Sequence, residues 1–367
     1  MLRKLGLALL VLCTTATIPS ISLASTITPI QTTTSIDYHI VLAHSDGSFH
    51  NGLLFAEQSD GTRVYYNTQG NEAFILSPEL EPLSDFWDQR AMVRNRTTKL
   101  IGYINTKGVL VIPCKYSEGS SFSKGVAYVA EGKSNESAFI DKAGNLLNSL
   151  TKTYDSEYNF SDGLALTYES KTGKVGFINK SGELVIPYEH AYARGFSNGL
   201  ALVQNSKGNY GYIDKTGKIV IPFQYKSGGD YEEGLMAVQN SKGKWGYINR
   251  MGKTIIPFKY ENANQFSEGL AIVYNSSGKI GFIDKKGKMV IDYQKYTRAF
   301  DFSNGIALVG IGTHSDPSSK FGYIDRQGRL LTKLEYRVES SSFRDGYAVA
   351  IKTEGKGVIL SKGFLVH

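Results

Sequence analysis

Phe266-Ser-Glu-Gly-Leu-Ala-Ile-Val273 is followed by the turn Asn275-Ser-Ser-Gly278, the apolar run Ile280-Gly-Phe-Ile283, the Asn/Asp-x-x-Gly tetrad Asp284-Lys-Lys-Gly287 and the run Met289-Val-Ile291. Short apolar runs that alternate with turn residues indicate strands. In each tetrad Asn or Asp can cap its own turn, and Gly can take the left-handed residue that closes a bulged hairpin. The stretch therefore predicts an all-β unit, a three-stranded antiparallel meander.

The same pattern recurs nine times along the chain, at intervals of about 35 to 41 residues. Each copy opens with an aromatic residue, two polar residues and usually Gly. The opening aromatics of units one to nine are Phe49, Phe86, Phe122, Phe160, Phe196, Tyr231, Phe266, Phe302 and Phe343. A fixed period of this kind predicts a tandem β-repeat domain over residues 46–367.

The strands of these units are apolar on both faces, as in Leu200-Ala-Leu-Val203. Such a sheet must be covered on both sides, and the neighbouring units are the simplest cover. Ala201 in the first strand and Gly211 in the second recur at equivalent points of other units, and we expect them to let neighbouring sheets approach closely.

The array can be an open superhelix or a closed, propeller-like ring. Nine units exceed the about four to eight blades of most propellers, which favours the open array. An open array needs capped ends, and the irregular first unit and the short last unit fit that role. Both arrangements stay open at this point.

The N-terminus reads as an export signal. Arg3 and Lys4 precede the apolar run Leu5 to Cys13, and Ala24 ends a short segment that fits a cleavage site, which predicts a signal peptide over residues 1–24. We expect the mature chain to be secreted or associated with the cell surface, without a transmembrane segment. Residues 25–45 form a leader, whose threonine-rich part from Thr26 to Ser35 we expect to be disordered. Cleavage would leave Cys114 as the single cysteine, so no internal disulfide is expected.

The stretch Trp245-Gly-Tyr-Ile-Asn249, with Gly252, Ile255-Ile-Pro257 and Phe266-Ser-Glu-Gly-Leu-Ala271, resembles the bacterial WG-repeat (KWG) family. The resemblance extends from about Phe49 to the C-terminus. The family's Trp stands at this position once, and Ile, Val, Tyr or Phe replaces it elsewhere, as core packing allows. The resemblance implies a β-rich interaction scaffold and supplies no catalytic residue.

Basic residues recur at the tips of the predicted tetrad hairpins. Lys107 and six residues that we take as a candidate binding stripe occupy these tips: Lys142, Lys180, Lys215, Arg250, Lys285 and Arg326. A second basic row follows the other turn, at Lys174, Lys207, Lys242, Lys244, Lys279 and Lys320. Stacking of the units would turn each row into a stripe that fits an anionic polymer or membrane surface. The alternative is that lysine at a hairpin tip is merely solvated.

The histidines of the sequence predict no metal site and no catalytic site. His39, His44 and His50 match no common metal spacing, and His190 and His314 lack the neighbours of an acyl-transfer site. We therefore expect no enzyme, metal or cofactor, and no nucleic-acid partner. The expected function is a secreted binding scaffold with a protein or an anionic cell-surface polymer as partner. The alternatives are a glycan-binding module and, third, a carbohydrate-active hydrolase; the aromatics that break the repeat pattern are the candidates for stacking on sugars, namely Tyr65, Tyr66, Trp87 and Tyr347.

Overall fold

The structure is a computed structural model, and it describes residues 31–36, 47–58, 60–132, 136–150, 160–294, 296–312, 318–337, 340–352 and 357–361. The predicted signal peptide, His39, His44 and His314 lie outside these ranges. Within them the chain forms strands and turns and no α-helix.

The strands of the N-terminal half are β1 (Gln31–Ile36), β2 (Leu53–Glu57), β3 (Arg63–Asn67), β4 (Glu72–Ile75), β5 (Leu80–Pro82), β6 (Arg90–Asn95), β7 (Ile101–Asn105), β8 (Leu110–Tyr116), β9 (Glu118–Gly119), β10 (Val126–Glu131), β11 (Glu136–Asp141), β12 (Leu146–Leu150), β13 (Leu164–Tyr168), β14 (Val175–Asn179), β15 (Leu184–His190) and β16 (Tyr192–Ala193).

The strands of the C-terminal half are β17 (Leu200–Gln204), β18 (Tyr210–Asp214), β19 (Ile219–Tyr225), β20 (Ser227–Gly228), β21 (Met236–Gln239), β22 (Trp245–Ile248), β23 (Thr254–Tyr260), β24 (Asn262–Ala263), β25 (Leu270–Tyr274), β26 (Ile280–Asp284), β27 (Met289–Gln294), β28 (Arg298–Ala299), β29 (Ile306–Ile311), β30 (Lys320–Asp325), β31 (Tyr347–Ile351) and β32 (Gly357–Ser361).

These strands form nine antiparallel sheets of three or four strands, so the all-β class and the meander are confirmed. Unit five is representative, with strand order β16-β17-β18-β19. Leu200 pairs with Asp214, and Tyr212 pairs with Ile221. The short strand β16 adds a fourth strand to the predicted three, and a single residue, Lys226, separates β19 from β20 of the next sheet. We call the last strand of each meander, such as β19, the edge strand.

The core is divided among the contacts between neighbouring sheets. In β17, Ala201 and Val203 pack with Phe177 and Ile186 of unit four. Leu200 and Leu202 of the same strand pack with Met236 and Val238 of unit six. Because alternate side chains of a strand point to opposite faces, the predicted cover on both sides is confirmed. The recurring alanines are fully buried in these contacts, as Ala201 shows.

The recurring glycine of the second strand has a different role from the predicted one. A Cβ at Gly211 would lie 2.6 Å from the carbonyl oxygen of Ile221, which belongs to the edge strand of the same sheet. The register shifts at this point, between Tyr210 and Tyr212. A β-bulge brings the edge-strand backbone over the glycine, so glycine is required within the sheet and not between sheets.

Two features join the ends of the array. The disorder predicted for Thr26 to Ser35 is wrong for residues 31–35, because β1 pairs with β32 and completes the sheet of unit nine, while residues 26–30 lie outside the described ranges. Phe49 and Leu54 of unit one also form one buried cluster with Val349 and Ile359 of unit nine. An open array would lack such contacts between its first and last units. The first and last units are therefore in contact, which the unit count did not predict.

Candidate functional site

The opening motif of each unit folds as a tight hairpin of its own. In unit five, Ser197 and Leu200 exchange backbone hydrogen bonds of 2.8 and 3.1 Å, while Asn198 and Gly199 have φ values of 50° and 82°. Two consecutive residues with positive φ make a turn of type I′, which suits Asn-Gly and related pairs. The third motif residue has a φ between 50° and 54° in all nine units. The sequence pattern predicted tight hairpins at the tetrads, and this second set was not predicted.

Side chains of these motifs connect each unit to the next. The amide of Gly199 donates to Oδ2 of Asp162 at 2.6 Å, and the amide of Gly269 donates to Oε2 of Glu233 at 2.9 Å. The second motif residue adds a further bond, since the hydroxyl of Ser267 donates to the carbonyl of Phe302 at 2.7 Å. The motif turns of successive units therefore lie side by side along one edge of the array.

The tetrad tips lie at the same edge. Lys180 donates to the carbonyl of Lys124 at 2.9 Å, and Lys215 donates to that of Asp162 at 3.2 Å. Arg250 follows the same rule, with 2.7 Å from Nη1 to the carbonyl of Asn198. Each cation reaches the third motif residue of the preceding unit. We call the edge that carries the motif turns and the tetrad tips the tip face.

Two further members of the stripe meet carboxylates instead of carbonyls. Nζ of Lys285 lies 3.0 Å from Oε2 of Glu233, and Nη1 of Arg326 lies 3.8 Å from Oε2 of Glu268. Burial acts to raise the pKa of Glu233, but the bonds from Lys285 and the Gly269 amide hold it below its usual value. Acidic residues of the opening motifs thus lie among the tip cations.

Lys142 is placed at the tip face by its backbone. Its carbonyl accepts a hydrogen bond of 2.9 Å from Nε of Arg90, at the start of the first strand of unit two. The structure therefore brings all six predicted stripe residues to one edge. It also shows that five of their side chains contact the preceding unit, so these cations help to hold neighbours together.

The second basic row lies at the opposite ends of the strands. Lys207 and Lys242 occupy turns between the first and second strands, where their amides donate to the side chains of Asn205 and Asn240 at 3.0 Å. An antiparallel meander puts these turns at the end away from the tetrad tips. The two rows are therefore separate surfaces.

One part of the tip face departs from the repeat. The second motif residue is Ser in five units, but it is Arg344 in unit nine, His50 in unit one and Trp87 in unit two. Nη1 of Arg344 lies 2.8 Å from the His50 ring, and the Arg344 guanidinium lies 5.7 Å from the centre of the Trp87 ring. Asp85 approaches His50 to 3.6 Å. The cluster was not predicted, although Ser is replaced by a larger residue in all three of these motifs.

The aromatic candidates differ in exposure. Trp87 is 45% exposed, whereas Tyr65 and Tyr66 are buried and cannot stack on a sugar, so that prediction is wrong for both. Tyr65 instead stacks on Phe74 with 4.6 Å between ring centres. Cys114 is free and half-buried, and burial raises the pKa of its thiol. Among the described residues, no group of His, Cys, Asp or Glu is arranged to hold a metal, and no helix is long and apolar enough to cross a membrane.

Comparison with known proteins identifies the repeat. The model of the family described as "WG containing repeat" matches residues 101–133, 176–208, 210–245, 245–277, 280–312 and 321–356. No curated protein matches the chain.

Solved structures are similar at low identity. A eukaryotic initiation factor is 13% identical, with a TM-score of 0.54 over 81% of this chain and 86% of that one. BamB from Moraxella catarrhalis is 10% identical, with a TM-score of 0.45 over 91% and 100%. The C-terminal WD40 domain of Sif2 is 9% identical, with a TM-score of 0.41 over 92% and 99%. The likeness to the initiation factor concerns the fold alone. The six family matches cover more than half of the chain, which therefore belongs to the WG-containing repeat family.

Proposed function

We propose that this protein is an exported, non-catalytic binding scaffold whose tip face makes multivalent contacts with an anionic cell-surface or extracellular partner. The observation that carries the proposal is the alignment of the six stripe residues, Lys142, Lys180, Lys215, Arg250, Lys285 and Arg326, on one edge of the array. Equal weak contacts held at fixed spacing add through shared geometry, which is how a repeat scaffold gains affinity. The signal-like segment ending near Ala24 supports an extracellular location.

The tip cations already contact carbonyls and carboxylates of the preceding unit, and these contacts determine which of their hydrogen-bond donors a partner can bind. Lys285 is 45% exposed although it contacts Glu233. An exposed ion pair contributes only about 0–1 kcal/mol, so a multivalent anion can compete for such a lysine at little cost. The carbonyl contacts of Lys215 and Arg250 likewise leave donors of the ammonium and guanidinium groups for a ligand.

The test is binding of the purified chain to polygalacturonate, an acidic polysaccharide, and to neutral dextran at low and high salt. The triple variant Lys215→Glu, Arg250→Glu and Lys285→Glu reverses the tips. The control variant Lys207→Glu, Lys242→Glu and Lys279→Glu makes the same charge change at the opposite ends of the strands. Thermal unfolding of both variants checks that the array stays folded.

We expect binding to polygalacturonate that weakens with salt, that the tip variant loses and that the control retains, since screening acts on exposed charges. Equal loss in both variants would mean that net charge alone drives binding. Failure to bind polygalacturonate would contradict the stripe and leave proteins as the partners to seek. Salt-resistant binding to dextran would instead indicate a glycan site, for which exposed Trp87 is the first residue to replace.

A further inference from the structure

The edge strands carry exposed aliphatic side chains close behind the tip face. One such residue stands two positions after the tetrad glycine in five units and three positions after it in units six and seven, and each is between 40% and 62% exposed. From unit two to unit eight they are Leu110, Leu146, Leu184, Ile219, Ile255, Val290 and Leu330. Single exposed aliphatics are ordinary on protein surfaces, but a repeated and contiguous set indicates an interaction surface.

The charge beside these aliphatics changes along the array. In units five to eight, the residue that follows the tetrad glycine is always a cation: Lys218, Lys253, Lys288 and Arg329. In units two to four, the same position holds Val109, Asn145 and Glu183. Units two to four therefore have exposed aliphatic residues without a cation directly after the tetrad glycine. We call the four cations of units five to eight and their neighbours Ile219, Ile255, Val290 and Leu330 the amphipathic rim.

Successive units of the rim are in contact. A Cβ at the tip glycine Gly287 would lie 3.0 Å from Cγ2 of Ile256, in the edge strand of the preceding unit. A Cβ at Gly328 would likewise lie 2.8 Å from Cγ2 of Ile291. Each tip thus rests on the preceding edge strand, next to its exposed aliphatic. At the tip of unit six, Met251 is 81% exposed and adds another apolar side chain.

The chemistry of the rim restricts the partner. Pro222 and Pro257 lie in the edge strands β19 and β23, where they remove a backbone donor and oppose the addition of a peptide strand. Aliphatic side chains alternating with cations, spread over four units, match a surface that offers negative charge over an apolar layer. A bilayer containing anionic lipid has both properties.

We propose that the amphipathic rim binds the surface of a bilayer that contains anionic phospholipid. This inference rests on the proposed binding function and names the partner of one sector of the tip face. Ile219, Ile255 and Val290 enter the boundary between headgroups and acyl chains, and Lys218 and Lys253 pair with lipid phosphates. Both interactions act together because each cation stands within two residues of an exposed aliphatic.

The experiment measures cosedimentation of the purified chain with vesicles of phosphatidylglycerol and phosphatidylcholine in equal amounts. The rim variant is Ile219→Gln, Ile255→Gln and Val290→Gln. The control is Leu110→Gln, Leu146→Gln and Leu184→Gln, which removes three exposed aliphatics from units whose residue after the tetrad glycine is not a cation. All six residues are exposed, so both variants should fold, and thermal unfolding verifies this.

We expect the rim variant to bind vesicles at least about tenfold more weakly, since it loses three membrane-inserting aliphatics, and the control to change by less than about twofold. Vesicles of phosphatidylcholine alone should bind weakly. Equal effects of the two variants, or no vesicle binding by the unmodified chain, would overturn the inference.

Polygalacturonate binding separates this inference from the proposed function. A chain that binds the polysaccharide but not vesicles keeps the proposed function and loses the lipid surface. A chain that binds neither loses both. Vesicle binding that the rim variant keeps and the tip reversal abolishes would show electrostatic adsorption without insertion, which contradicts the role of the aliphatics.

Discussion

Two tyrosines at the same position of different units should respond in opposite ways to the loss of their hydroxyl group. Tyr212 and Tyr65 are both 1% exposed and both stand third in the second strand of their unit. The Tyr212 hydroxyl donates to the carbonyl of Gly229 at 2.7 Å, which ties unit five to unit six. The Tyr65 hydroxyl has no hydrogen-bond partner among the described residues.

The magnitudes follow from these contacts. Tyr212→Phe removes a buried hydrogen bond and leaves the Gly229 carbonyl without its donor, so we expect the free energy of unfolding to fall by about 1–2 kcal/mol. Tyr65→Phe removes a buried hydroxyl that gains no bond in the folded state. We expect unfolding to become about 1 kcal/mol less favourable, because burial of an unpaired hydroxyl costs about 1–3 kcal/mol. Both rings keep their packing, and Phe177 shows that phenylalanine fits this position.

The assay is urea unfolding of the two variants and of Tyr247→Phe, which should repeat the result of Tyr212→Phe because its hydroxyl donates to Asn264 at 2.8 Å. Midpoints can be compared as stabilities where the m values agree. The reasoning is refuted if Tyr65→Phe destabilises the protein as much as Tyr212→Phe does. Such a result would mean that the hydroxyl at this position contributes through something other than the bond to the next unit.

Three further changes test the packing and the pH response. Gly211→Ala would set a methyl group 2.6 Å from the Ile221 carbonyl and should lower the free energy of unfolding in urea by about 1–3 kcal/mol, whereas Gly195→Ala meets nothing closer than 3.5 Å and should be tolerated. Asp162→Ala should cost about 0.5–1.5 kcal/mol in the same assay by removing a bond to the next unit, while Asp162→Asn keeps an acceptor and should cost less. Burial lowers the pKa of His190 below 6.5 against the opposing charge of its neighbouring glutamate, so the unfolded chain takes up the proton first. Stability should then fall as pH drops below about 6.5, and His190→Tyr, which supplies the residue that unit five has at this position, should reduce that fall in thermal melts at pH 7 and pH 5.

The sequence predicted what repeats locally and not how the repeats meet. The repeat period, the antiparallel meander and the strands that are apolar on both faces follow from composition and turn residues, and the structure confirms them. The bond from Gly199 to Asp162 could not be predicted, because it depends on the stagger between units, which no spacing within a unit reveals. The need for glycine at Gly211 was visible, but its cause lies in a bulge whose register the sequence does not encode. For the stripe, the alignment was predictable and the partners of Lys215 and Lys285 were not.

Units nine and one, at the two ends of the array, are held together by side-chain and strand contacts and not by a link of the chain. Four pairs of neighbouring units are joined by a single residue between strands, as Lys226 joins units five and six, and serine bonds connect several motifs, as from Ser267 to Phe302. Units nine and one have no such link, and there the serine position carries Arg344 and His50, whose larger side chains pair with each other and with Trp87. The same junction gains the pairing of β1 with β32 and a buried cluster. The contacts between the chain ends must offset the conformational entropy that is lost when the ends are brought together, and this loss grows with the length of chain between them. Arg344, His50 and Trp87 therefore depart from the repeat at the junction where the repeated contacts alone would stabilise the neighbouring units too little. Their departure from the repeat has this structural cause, and no ligand is needed to explain it.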